Sequence, residues 1–207
     1  MTKIILCRHG HVEGISPERF RGRAEIPLTP RGIAEAHALA ARIAAEWKPA
    51  AVYTSPLKRC VDTGAAIAEA CGIKTSPLEA LNDIHYGAWQ WKTHEEAKRD
   101  SPELFWRWFN SPWLMRFPQG DSLQDLMVRT SDVLRFVLDR HTDDVVVLVG
   151  HESVNRALLM QVMDQPLSAY WRVTQTPCAL NEIELTKNSI RVLRLNDINH
   201  LRGIDGG

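Results

Sequence analysis

The chain has 207 residues, with 25 Lys plus Arg against 25 Asp plus Glu, so no net field draws it to nucleic acid or to an anionic membrane. Its length suits a single domain that buries roughly 70% of the unfolded surface. Cys7, Cys60, Cys71 and Cys178 show no pairing rhythm and no Cys-x-x-Cys, which points to reduced, mostly buried thiols. No apolar run reaches the ~18 residues of a membrane span or takes the form of a secretory leader. The expectation is a soluble cytoplasmic protein.

Lys3 to Cys7 is a short, near-continuous apolar run, the pattern of a strand buried on both faces of a parallel sheet. It ends on Arg8-His9-Gly10. An irregular stretch follows to Leu28, punctuated by Gly14, Pro17, Gly22 and Pro27. Thr29-Pro30 reads as a helix cap with proline in the first turn, and Ile33 to Trp47 as an amphipathic, alanine-rich helix. Ala50 to Thr54 reads as a second strand. Ser55-Pro56 repeats the cap-plus-proline device and predicts a helix to about Cys71.

Glu79 to Trp91 is less regular. The stretch Trp89 to Phe117 holds Trp89, Trp91, Trp106, Trp108 and Trp113, five of the seven tryptophans. Two readings stand: a lid over a pocket, or a helix pair packing its rings on the core. Gly120-Asp121-Ser122 opens a helix to about His141. Val145 to Val149 is another buried strand, ending at Gly150-His151, and Ser153 to Met163 a helix. Ala179 to Leu185 and Ile190 to Leu195 read as closing strands around Lys187-Asn188, with a surface tail from Asn196 to Gly207.

Two strands far apart in sequence thus each deliver a histidine at the carboxyl end, where open α/β sheets place their ligand crevice. Arg59 falls in the first turn of the helix after Ser55. A cation there opposes the helix dipole unless an anion lies at the strand ends. Arg8 makes the same demand, and Arg21 adds to it. Guanidinium forks fit phosphate oxygens, so the set suggests a phosphate cradle.

His9 and His151 admit three readings: buried structural histidines, a metal site, or nucleophilic catalysis. For the metal, His9 and His11 have strand-ligand spacing, with Asp83, Glu13 or His151 to complete the set. Flanking arginines weaken cation binding, which disfavours it. The preferred reading is attack by a neutral imidazole on phosphorus, with arginines and a second histidine spreading the charge.

Taken in order, Arg8-His9-Gly10, Pro27-Leu28-Thr29 with Gly32, Ser55-Pro56-Leu57-Lys58-Arg59, Asp83 with Gly87 and Trp89, and Gly150-His151 form a series. It resembles that of the histidine phosphatase superfamily, the phosphoglycerate mutase-like proteins, over nearly the whole chain. The resemblance implies a three-layer α/β/α sandwich with a mostly parallel central sheet. Residues 1–207 would form one domain with a small tryptophan-rich lid insertion at about 89–120. It also implies a phosphohistidine intermediate, with no metal and no cofactor. His9 would be the nucleophile. Arg8, Arg59, His151 and the backbone N–H of Glu152 would hold the phosphoryl group, and Asp83 would be the general acid and base.

Three departures from the family pattern stand out. His11, Val12 and Ile15 replace an acidic residue, threonine and asparagine after the first motif, which leaves His11 or Arg21 to compensate. Asp83 replaces the usual glutamate and reaches roughly 1.5 Å less far. Glu152 follows His151 where a small residue is common, and is a rival proton donor. Asn155 and Arg156 are possible supports of the site.

The expected function is phosphomonoester hydrolysis, because the segment after Asp83 is short and tryptophan-rich rather than long and basic as in mutases. A mutase, or a weakly active phospholigand-binding regulator, is the alternative. The expected partner is a small-molecule phosphomonoester of moderate bulk held by aromatic faces, with a homodimer possible and no nucleic acid or membrane.

Overall fold

The computed structural model describes residues 1–186 and 188–204; Lys187 of the expected hairpin and the last three residues of the tail lie outside that range. The strands are β1 (Thr2–Arg8), β2 (Ala51–Thr54), β3 (Thr75–Pro77), β4 (Val145–Gly150), β5 (Leu180–Leu185) and β6 (Ile190–Asp197). They form one sheet in the order β3-β2-β4-β1-β5-β6. The pairs β2–β3, β2–β4 and β1–β4 are parallel, and the closing pairs β1–β5 and β5–β6 antiparallel.

The apolar runs are continuous because both faces of the sheet are covered. Ile4 and Leu6 of β1, with Val146 and Leu148 of β4, point into one core. Ile5 and Cys7, with Val147 and Val149, point into the other. Helices α1 (Pro30–Glu46) and α2 (Lys58–Cys71) cover the second face. Helices α3 (His94–Asp100), α4 (Pro102–Asn110), α5 (Leu123–Arg140) and α6 (Glu152–Val162) lie on the first. The architecture is the expected three-layer α/β/α sandwich. Among the described residues no helix is long and apolar enough to cross a membrane.

Local chemistry sets the helix starts. Thr29 caps α1 by accepting from Gly32 N at 3.1 Å, and Ser122 with Asp125 forms a capping box on α5. The α2 start differs from expectation. Its N-cap is Leu57, with no side-chain cap, and the helix begins at Lys58. The Ser55 hydroxyl is drawn instead to His151, as described below. The short edge strand β3 carries no apolar run and escapes sequence reading. The expected surface tail is also partly structural: β6 runs to Asp197, and Leu201 packs against the core beside α1.

The tryptophan-rich segment forms α3, α4 and single turns. Trp89 and Trp108 are buried in the core, while Trp91 and Trp106 are exposed. Phe20, Tyr86, Trp89, Trp108 and Phe117 pack mostly edge to face, with neighbouring ring centroids about 5 Å apart. This is the helix-pair reading for most of its rings; Trp108 also borders the cleft.

Candidate active site

Strand register builds the site. Arg8 of β1 lies opposite Gly150 of β4. The next residues, His9 and His151, therefore leave two adjacent parallel strands at the same level, and their ring centroids are 5.3 Å apart. Gly10 and Gly32 let the loop after β1 close onto α1. A Cβ on Gly10 would sit 2.4 Å from Gly32 O, and one on Gly32 2.1 Å from His11 O.

His9 is buried, and its Nδ1–H donates to its neighbour's carbonyl, Gly10 O, at 2.7 Å. That hydrogen bond assigns the tautomer and leaves the lone pair on Nε2. Burial above all, then Arg59, His151 and Arg8, holds His9 well below the ordinary histidine range, so the imidazole is neutral.

Arg59 is fully buried in the first turn of α2. It donates to Ala24 O at 2.8 Å, Gly22 O at 2.6 Å, His151 Nδ1 at 3.3 Å and Asp83 Oδ2 at 3.3 Å. Since arginine only donates, Nδ1 of His151 carries a lone pair, and its Nε2–H donates to Ser55 Oγ at 2.7 Å. Burial, reinforced by Arg59 and Arg8, pushes His151 well below its usual range.

Asp83 is buried on the loop before α3. Its Oδ1 accepts from Ser153 Oγ and, at 2.9 Å, from Ile84 N; its Oδ2 faces Arg59 and lies 3.6 Å from His151 Nδ1. The backbone beneath it is gripped by two more arginines. Arg129 donates to the carbonyls of Ala80, Asn82 and Asp83, and Arg23 to that of Asp83 at 3.0 Å.

Arg8 donates to Gln175 O and pairs with Glu152 at 3.1 Å. Its Nε is buried with no hydrogen-bond partner among the described residues. Such a donor costs free energy unless a ligand oxygen accepts from it. Glu152 opens α6 and also meets Arg156 at 2.6 Å and Arg21 at 3.7 Å. Burial pushes its carboxyl up, but Arg8, Arg156 and Arg21 together outweigh that and hold it below the usual range.

Of the residues singled out from sequence, Arg8, His9, Arg21, Asp83 and Glu152 line one cleft, and Arg59 and His151 are bonded behind it. His11 is not brought there. Its ring faces Thr29 Oγ1 at 3.0 Å, and its backbone N–H donates to Glu35. Two of the five aromatic side chains that line the cleft are met by a cation of the protein itself. The Arg156 guanidinium lies over Tyr170 at 5.3 Å and Trp171 at 4.8 Å, held by its Nε–H to Val173 O. Ser153 and Gln175 carry no distinguishing sequence signal, and Ser55 stands out only as part of the Ser55-Pro56 motif. No cluster able to hold a metal ion occurs among the described residues.

The fold and cleft define the class: an α/β protein with an arginine-lined pocket where parallel strands end and a helix begins. The chain belongs to the histidine phosphatase superfamily (branch 1), whose pattern it matches over residues 4–198. It is 31% identical over 201 residues to phosphoserine phosphatase 1 of Hydrogenobacter thermophilus, covering 97% of this chain and 95% of that protein. It is 30% identical over 222 residues to the metal-independent phosphoserine phosphatase of Arabidopsis thaliana, covering 100% and 89%. The solved structure of Bacillus stearothermophilus YhfR superposes with a TM-score of 0.92 at 28% identity, over 98% of this chain and 100% of that one. The protein is a phosphatase of this superfamily.

Proposed function

We propose that residues 1–207 act as one catalytic domain that hydrolyses small phosphomonoesters through a phosphohistidine on His9. The observation that carries this is the Nδ1–H bond to Gly10 O, which directs the Nε2 lone pair of a neutral imidazole into a ring of cations. Arg8, Arg59 and the N–H of Glu152 at the start of α6 take the phosphoryl oxygens, and the unpartnered Nε of Arg8 gains an acceptor. A dianion beside His151 favours its imidazolium form, which then donates from Nδ1.

In the first step the His9 Nε2–P bond forms and the ester P–O bond breaks, while Asp83 gives its proton to the leaving oxygen. In the second, Asp83 takes a proton from water, and the hydroxide attacks phosphorus and releases phosphate and His9. Arg23 and Arg129 both donate to the Asp83 carbonyl and fix the backbone from which the shorter acid reaches. Glu152, held ionised by three arginines, is not the donor. The insertion at 89–120 shields the cleft mouth, where His94 and Trp108 line it.

Arg156 over the aromatic rings favours a small, polar organic part rather than a bulky apolar one. The phosphoserine phosphatases among the relatives make O-phosphoserine the first substrate to test.

The test is hydrolysis of p-nitrophenyl phosphate in excess EDTA, wild type beside His9→Ala, with acid-labile, base-stable phosphate on the quenched protein as second readout. EDTA-resistant turnover and a trapped label, both lost in the variant, are expected. Unlabelled wild-type protein with full turnover, or an active His9→Ala, would overturn the reading.

A further inference from the structure

Glu152 is the carboxylate that answers the cleft's cations outside the Arg59–Asp83 pair, for Arg8, Arg21 and Arg156 line the cleft with it. Its Oε2 takes Arg8 and Arg21, and its Oε1 takes Arg156, so one carboxylate answers three guanidinium groups. None of the three is free to turn away. Arg8 is tied to Gln175 O, Arg21 to Gly14 O at 2.5 Å, and Arg156 to Val173 O at 2.7 Å.

We propose that Glu152 is a specificity-determining residue that restricts the cleft to phosphomonoesters whose organic part has no net charge. The proposal rests on the reading that the phosphoryl group sits on Arg8 and Arg59. A substrate carrying a bare carboxylate beyond the phosphate meets Arg21 and Arg156 already neutralised, and Glu152 repels it. A zwitterionic organic part meets no such penalty, because its ammonium offsets its carboxylate. The side chains of Arg8, Arg21, Arg156 and Glu152 are mostly buried, so these charges act with weak screening.

The experiment uses two compounds with one skeleton, O-phosphoserine and 3-phosphoglycerate, which differ by an ammonium in place of a hydroxyl. Each is measured as a competitive inhibitor of p-nitrophenyl phosphate hydrolysis, so neither needs to be turned over. Wild type is expected to bind O-phosphoserine more tightly. Glu152→Gln should shift the ratio of inhibition constants toward 3-phosphoglycerate by about tenfold or more. Arg21→Gln, which removes a positive charge from the same cluster, should shift it the other way, and Glu152→Asp should keep the wild-type ratio. A Glu152→Gln ratio within about threefold of wild type, or an Arg21→Gln shift in the same direction as Glu152→Gln, overturns the proposal. If Glu152→Gln fails to fold, the Arg21→Gln and Glu152→Asp ratios decide. Retained activity in His9→Ala would instead sink the phosphohistidine reading while leaving the inhibition ratios interpretable.

Discussion

Ser153 donates its hydroxyl to Oδ1 of Asp83 across the cleft floor, from the first turn of α6 to the loop ahead of α3. That bond, with Ile84 N on the same oxygen, turns Oδ2 toward Arg59 and His151. The carboxylate thus has one oxygen tied to the surrounding protein and one that faces Arg59 and His151. Asp83→Asn is expected to lower kcat on alkyl phosphates by about 10²-fold or more, and by much less on p-nitrophenyl phosphate, whose leaving group needs no proton. Equal losses on both substrates would remove Asp83 from the proton-transfer role. Ser153→Ala should lower kcat with little change in KM.

His9 and His151 are both buried and both held well below the ordinary histidine range. In the unfolded chain they titrate near ~6.5. Below that pH the unfolded state binds protons that the folded state refuses, so stability is full above about 6.5 and falls as pH drops toward the lower folded values. Each contributes a slope of up to about 1.4 kcal/mol per pH unit in that window. Thermal unfolding between pH 7 and 5 should therefore be flatter in His151→Gln than in wild type. Parallel curves would show that His151 takes up its proton in the folded state as easily as outside it.

Arg129 reaches from α5 to three carbonyls, those of Ala80, Asn82 and Asp83, and is steadied by Asp121 at 3.7 Å. In the proposed mechanism it touches none of the reacting groups and would act by positioning Asp83. Arg129→Met should lower kcat by about tenfold on substrates with poor leaving groups. KM and p-nitrophenyl phosphate turnover should change little, and Arg129→Lys should rescue part of the loss. A uniform drop on all substrates would indicate a merely structural role.

The approach of Gly10 to Gly32 leaves no room for a methyl group, because the obstruction is backbone. Gly10→Ala should destabilise the fold by about 3 kcal/mol, through displacement of the loop that carries His9. Urea denaturation measures it directly. A loss below about 1 kcal/mol would mean that α1 shifts freely, which its Thr29 cap and buried Leu39 and Ile43 oppose.

The layered architecture is legible in the sequence because burial of both sheet faces demands continuous apolar strands, and Lys3 to Cys7 and Val145 to Val149 answer that demand. Arg8, His9 and His151 are legible for the same reason: where an apolar run stops on a charged or titratable residue, that residue stands at the sheet's carboxyl edge. The helix starts at Thr29 and Ser122 follow from local capping chemistry, which acts within four residues and needs no partner from elsewhere. At Ser55 the same rule fails, because His151, 96 positions away, offers its Nε2–H to the hydroxyl that would otherwise cap α2.

Which arginine meets which carboxylate was settled only in three dimensions. Glu152 draws Arg8 from β1, Arg21 from the loop after it and Arg156 from its own helix, while Asp83 depends on Arg23, Arg129 and Ser153 from three separate segments. Backbone propensity and apolar periodicity are local and additive, so sequence alone determined the layers and the strand-end histidines. Ion pairs and hydrogen bonds act over a few ångströms regardless of separation along the chain, so only the packed structure decided that His11 turns to Thr29, that Arg156 covers the aromatic rings and that Glu152 stays ionised.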